Sequence, residues 1–210
     1  MNQVKYKSKL LAVVLYLLLA NTCAAASDEV QIVAYGASFT YGQGVGMNYA
    51  YPARLEALLK SSGENVNIKN RGISGETTLD LKIRLDRAVP DGVQIVIFGF
   101  GLGNDKRASM PIETTIQNVE EVVSRLKARN IQVLLILRRG DQKQLRRVTK
   151  LFTPIIQKYE ISHIAIEQTE DSFLPDRQHP SAAYHAEYAE RMFPLVKTLI
   201  ERVKNQNNPS

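Results

Sequence analysis

Only one cysteine, Cys23, occurs in 210 residues, and only three histidines. A single thiol excludes an internal disulfide framework and a multi-cysteine metal site. The apolar run Leu10–Ala20 is eleven residues long, short of the ~20 needed to span a bilayer. Glycine and proline number 12 and 8 and follow no repeat, and 44% of the residues are hydrophobic, which excludes collagen-like and disordered chains. No Gly-Lys-Ser/Thr phosphate loop is present. Two glycine runs, Gly42-x-Gly44 and Gly99-x-Gly101, begin like a dinucleotide fingerprint, but Met47 and Asn104 occupy the last-glycine positions. Aromatics do not interleave with the basic cluster after Leu137, so no nucleic-acid partner is expected.

What is present divides at Ser27. Lys5, Lys7 and Lys9 precede the apolar run, and Ala24-Ala25-Ala26 supplies a small-residue cleavage pattern. Residues 1–26 therefore read as a secretory signal peptide. Lipid attachment at Cys23 is the rival, but Thr22 and Ala20 match a lipobox poorly. The segment holds three lysines and no acids, so its removal takes the formal charge from +6 to +3. It also takes away the only cysteine. The expected product is exported, periplasmic or secreted, without a stable membrane anchor. The sequence assigns no oligomeric state.

From Val30 onward short apolar runs alternate with amphipathic ones. Strands are predicted at 30–35, 66–70, 93–98, 131–137 and 161–166, and helices at 51–61, 79–88, 111–129, 143–159 and 182–204. The third and fourth strands are nearly continuous apolar runs, as parallel strands covered on both faces should be. Thr77 or Thr78 can cap the second helix, whereas Pro154 and Pro194 should kink or shorten theirs. The alternation predicts an α/β fold, a three-layer α/β/α sandwich around a five-stranded parallel sheet. One domain is expected over 27–204, with a polar tail at 205–210.

Ligands of open α/β sheets bind at the carboxyl ends of the strands. Ser38 follows the first strand, Gly75 the second, Asn104 the third, and Asp176 and His179 the fifth. A hydroxyl nucleophile needs a base, and the base an orienting group. Ser38, His179 and Asp176 can take those roles. Backbone N–H groups of Ser38 and Gly75 and the amide of Asn104 can hold an oxyanion. That chemistry requires neither a metal nor a cofactor. Asp105 reads as a turn residue or a loop-fixing acceptor, and His163 and His185 as structural residues. Among the basic residues Arg138 to Lys150, Arg146 and Arg147 are candidates for attracting an anionic substrate or surface, set against a solvated helix face.

In this order the segments resemble the SGNH/GDSL hydrolases, in particular the secreted thioesterase I, lysophospholipase and arylesterase branch. Ser38, Gly75, Asn104, Asp176 and His179 match the family blocks, the third through an unusual Gly99-Phe100-Gly101-Leu102 stretch, and "YPARLEALLKSSG" and "ISGETT" look like that branch. The resemblance runs from Val30 to about Phe193. It implies hydrolysis of a small acyl ester or thioester by the three catalytic residues, with no cofactor. Ala37 stands where the family usually has Asp, and Phe39 where it has Leu. Two alternatives stand beside this reading. One is an O-acetylesterase or acyltransferase acting on cell-envelope glycans; the other is a non-catalytic binding module that keeps the fold.

Overall fold

The computed structural model describes residues 29–207. The signal peptide expected at 1–26 lies outside them. The element order is β1 (Val30–Gly36), α1 (Ser38–Tyr41), α2 (Tyr51–Ser61), β2 (Val66–Gly72), α3 (Thr78–Ala88), β3 (Ile95–Gly99), α4 (Leu102–Arg107), α5 (Ile112–Ala128), β4 (Gln132–Arg139), α6 (Gln142–Lys158), β5 (Ser162–Glu167) and α7 (Ala182–Asn207). The five strands form one parallel sheet in the order β2-β1-β3-β4-β5. Register pairs Val30 with Val66, Ile32 with Ile95, Ile95 with Gln132 and Leu134 with Ser162.

Alternation along β1 explains the layers. Val30, Ile32 and Ala34 face a core built with Tyr51, Leu55 and Leu59 of α2 and Met192, Val196 and Leu199 of α7. Val33 and Tyr35 face a second core with Leu81 and Leu85 of α3, Val119 and Val122 of α5 and Phe152 of α6. Both faces of the sheet are therefore dry, as the unbroken apolar runs of β3 and β4 require. Among the described residues no helix is long and apolar enough to cross a membrane.

Of the kink or shortening expected at Pro154 and Pro194, the shortening does not occur: α6 runs from 142 to 158 and α7 from 182 to 207. Each proline removes one backbone bond, but residues on both sides stay anchored in the cores, Val148 and Ile155 in α6 and Met192 and Val196 in α7. Packing outweighs the single lost bond. The tail expected at 205–210 also starts later, because residues 205–207 continue α7.

Strand order reverses at β1, which has β2 on one side and β3 on the other. A crevice opens at the carboxyl ends of strands at such a switch point. Close backbone approach there depends on glycine. A Cβ on Gly36 would sit 2.3 Å from the Gly99 carbonyl oxygen, and one on Gly72 would sit 2.2 Å from Tyr41 N. Their absence lets α1 lie directly across the end of the sheet.

Candidate active site

Ser38 opens α1 immediately after β1 and is half-buried. Ala37 is the N-cap of α1 and supplies no side-chain cap, where an aspartate would offer an acceptor. Phe39 is buried and stacks on Tyr51 and His185, with ring centroids 4.9 Å away in each case. The Arg138 guanidinium lies over the same ring, with Cζ 3.9 Å from its centroid. Aromatic packing and a cation thus fix the residue next to Ser38.

Asp176 and His179 come together in the turn before α7. His179 Nδ1 is 2.7 Å from Asp176 Oδ2, and Asp176 Oδ1 accepts the backbone N–H groups of Gln178 and His179 at 2.9 and 3.0 Å. The backbone and side-chain hydrogen bonds of His179 hold the Asp176 carboxyl down to about 2. It is therefore an anion at neutral pH, positioned to orient an imidazole. The Leu174 N–H donates to the His179 carbonyl at 2.7 Å and closes the turn. Leu174 in turn abuts Gly44 in the loop after α1: a Cβ on Gly44 would fall 2.4 Å from Leu174 Cδ1. This contact joins the aspartate–histidine turn to the Ser38 segment. Ser38 Oγ itself makes no side-chain hydrogen bond among the described residues.

The two further segments meet each other. Gly75 is exposed, with φ +85°, in the loop between β2 and α3. Asn104, in α4, donates from Nδ2 to the Glu76 carbonyl at 2.7 Å and accepts from Arg107. One amide hydrogen thus ties the Gly75 loop to α4. Asp105 is buried and acts as the expected loop-fixing acceptor. It takes the Thr78 N–H at 2.8 Å and the Thr78 and Thr115 hydroxyls at 2.7 Å each. Thr77 caps α3 in a box with Asp80.

Sequence reasoning missed Arg84. Its Nε lies 2.6 and 2.7 Å from the Glu76 carboxylate oxygens, and its Nη2 donates to the carbonyls of Gly36 and Arg71 at 3.2 and 3.0 Å. One guanidinium therefore fastens the Gly75 loop to the end of β1, next to Ser38. No local pattern links residues 76 and 84 to Gly36.

The basic residues separate into two groups. Arg138 lines a small cavity of about 20 Å³ with Ser38, Phe39 and Phe100. Arg146 instead lines an open groove of about 560 Å³ with Lys150 and Arg191, and Arg147 lines neither. The two arginines selected from sequence are thus not brought to Ser38, and Arg138 is. His163 is exposed on β5, whereas His185 is fully buried with Nδ1 accepting the Tyr51 N–H at 3.1 Å. Burial, and secondarily the charge of Arg138, lower the His185 imidazole to about 4.

The comparisons with known proteins agree with this architecture. A family profile described as the GDSL-like Lipase/Acylhydrolase family matches residues 34–192. An arylesterase of Vibrio mimicus is 26% identical over 154 residues, covering 71% of this chain and 74% of that protein. The crystal structure of TesA superposes with a TM-score of 0.69 at 19% identity, over 81% of this chain and 99% of that one. AlinE4, an SGNH-hydrolase family esterase, gives a TM-score of 0.62 at 27% identity, over 81% and 96% of the two chains.

Proposed function

The chain belongs to the GDSL-like lipase/acylhydrolase family and is an ester hydrolase, and we propose that it works through a Ser38–His179–Asp176 triad on small acyl esters or thioesters. Ser38 Oγ attacks the acyl carbonyl carbon while His179 Nε2 takes the hydroxyl proton. Asp176 holds Nδ1 and stabilises the imidazolium that forms. The N–H groups of Ser38 and Gly75 and the free hydrogen of the Asn104 amide face the charge growing on the carbonyl oxygen. His179 then returns its proton to the departing alcohol or thiol, which leaves an acyl-Ser38 ester. Water, deprotonated by the same imidazole, cleaves that ester to the free acid and restores Ser38.

The observation that carries this reading is the 2.7 Å Asp176–His179 pair in a turn that packs on the Ser38 segment. It also opposes the binding-module alternative, which has no use for a charged carboxylate aimed at an imidazole nitrogen. The test is hydrolysis of 4-nitrophenyl esters from acetate to decanoate beside Ser38→Ala. Turnover abolished by the substitution supports the reading; wild-type rates equal to the variant on every ester contradict it. The narrow cavity at Ser38, about 20 Å³, favours short acyl groups, so the acetate and butyrate esters are expected to be the better substrates.

We also propose export. The support is the lysine-flanked apolar run and Ala24-Ala25-Ala26. N-terminal sequencing of the protein recovered from outside the cytoplasm should begin at Ser27; an intact Met1 or a lipid-modified Cys23 would contradict it.

A further inference from the structure

The carboxyl end of β4 places two arginines, Arg138 and Arg139, beside the site with no salt-bridge partner among the described residues. Arg138 Nη1 is buried without a hydrogen-bond partner, and so is Gln168 Nε2. Both residues line one cavity of about 80 Å³, together with Arg139, Phe100 and Leu102. It adjoins the cavity at Ser38: the two share Phe100, Gly101, Ile136 and Arg138 as walls.

Buried donors left unpaired are uncommon because each forfeits its bonds to water. Arg138 Nη1 and Gln168 Nε2 are donors only, beside the Arg139 charge; the buried Tyr188 hydroxyl facing Arg138 offers an acceptor but no countercharge. Burial, and then the neighbouring Arg138, depress the Arg139 guanidinium below its ordinary value. Water entering the cavity would supply acceptors but no countercharge. A carboxylate supplies both, and a guanidinium pairs with it through two parallel N–H bonds. The space admits several water-sized groups, enough for a carboxylate on a short tether. The open groove carrying Arg146 contains no unpartnered buried donor.

We propose that Arg138 and Gln168 form a carboxylate subsite next to Ser38, so that the preferred acyl group is short and carries its own carboxylate at the far end. The subsite thereby gives the substrate class of the reading above, and it rests on Ser38 being the nucleophile. The acyl carbonyl would sit at Ser38 and the terminal carboxylate would reach past Phe100 to the orphaned donors. Arg138 touches both cavities and sets the selectivity.

The test compares 4-nitrophenyl hemisuccinate with 4-nitrophenyl butyrate, which matches its acyl chain length without the charge. The ratio of their kcat/KM values should favour the hemisuccinate by about 10- to 100-fold, the effect of a charge-assisted pair. Arg138→Gln should bring that ratio to about one or below, and Arg138→Lys should restore part of it. A third ester, with a neutral acetyl group and the carboxylate on the alcohol, separates the two sides of the scissile bond. Preference for that ester alone would overturn the acyl-side assignment.

Succinate binding to Ser38→Ala, followed by calorimetry, reads the subsite without catalysis. Saturable binding lost in Ser38→Ala/Arg138→Gln supports the subsite, and no binding overturns it. Butyrate hydrolysis with no charge preference would remove the subsite and leave the esterase reading intact. Succinate binding by a protein that hydrolyses no ester would do the reverse.

Discussion

Arg84 holds Glu76 through contacts of 2.6 and 2.7 Å from Nε and 2.5 Å from Nη2, with side chains only 9% and 13% exposed. A pair this sheltered is not a surface ornament. The remaining reach of Arg84 Nη2 to the Gly36 carbonyl makes it a brace between the loop bearing Gly75 and the strand delivering Ser38. Removing one partner strands the other charge, at a cost of about 3–5 kcal/mol. Glu76→Gln and Arg84→Met should each lower stability in urea by roughly that amount, and the double variant by clearly less than their sum. Additive losses would show that the two act separately. Esterase kcat should fall in all three, because the loop bearing Gly75 is no longer fastened to the end of β1.

Asp105 meets three donors from two other helices, all between 2.7 and 2.8 Å. Asp105→Ala should destabilise the protein by about 3 kcal/mol or more, since the Thr78 and Thr115 groups stay buried and unpaired. Asp105→Asn should recover only part, because its amide hydrogens face donors. A thermal melt of the three proteins decides it, with an alanine variant that melts like the wild type as the contrary result.

How much of this was legible in the sequence follows from how local each interaction is. Ser38 sits directly after an apolar strand, and Asp176 and His179 are three residues apart, so spacing alone proposes their roles. The parallel sheet was equally readable, because Val30, Val96 and Leu134 lie in apolar runs that only a doubly covered strand accommodates. Arg84 and Arg138 act on partners distant in sequence, and nothing in their immediate neighbours marks them, whereas Asp105 was marked by its place beside Asn104. Arg138 stood among six basic residues, four of them on α6, and the sequence does not show which of them the fold turns towards Ser38. At Pro154 and Pro194 local preference leaves open whether the helix ends, and the packed faces of α6 and α7 carry both helices through.

His185 is buried and neutral, with its imidazole at about 4 in the fold, against about 6.5 in an unfolded chain. Between those values the unfolded state binds the extra proton, so stability falls as pH drops from about 6.5 to about 4. The expected contribution is on the order of 3 kcal/mol. His185→Phe keeps the stack on Phe39 and loses the acceptor for the Tyr51 N–H. It should be about 1–2 kcal/mol less stable at pH 7, with a flatter stability profile towards pH 4. Parallel profiles, measured by urea unfolding across that range, would refute the assignment.

Gly72→Ala tests the seating of α1. A Cβ there would be 2.2 Å from Tyr41 N, a backbone atom that cannot swing aside. The substitution should cost about 1–3 kcal/mol and lower kcat more than it raises KM, because Ser38 shifts with its helix. An unchanged melting temperature and kcat would mean that α1 is not seated on Gly72.

Asp176 is exposed, so its replacement should affect chemistry more than folding. Its carboxyl, held at about 2 by hydrogen bonds to His179 and Gln178, contributes stability above the ordinary value near 4. That contribution fades as pH falls from about 4 to about 2 and is gone below it. Across pH 4–9 the carboxylate stays charged, and any activity change there has another source. Asp176→Asn should lower kcat by about 10²–10⁴-fold with little change in melting temperature. A kcat within about twofold of wild type would remove Asp176 from the mechanism.

The most direct measurement is the mass of the protein after treatment with a reactive phosphonate ester, followed by peptide mapping. A Ser38 nucleophile activated by His179 should give a single adduct on the peptide containing Ser38. The adduct should be absent from Ser38→Ala and form far more slowly in His179→Ala. An adduct on any other residue, or equal labelling of the wild type and Ser38→Ala, would contradict the account.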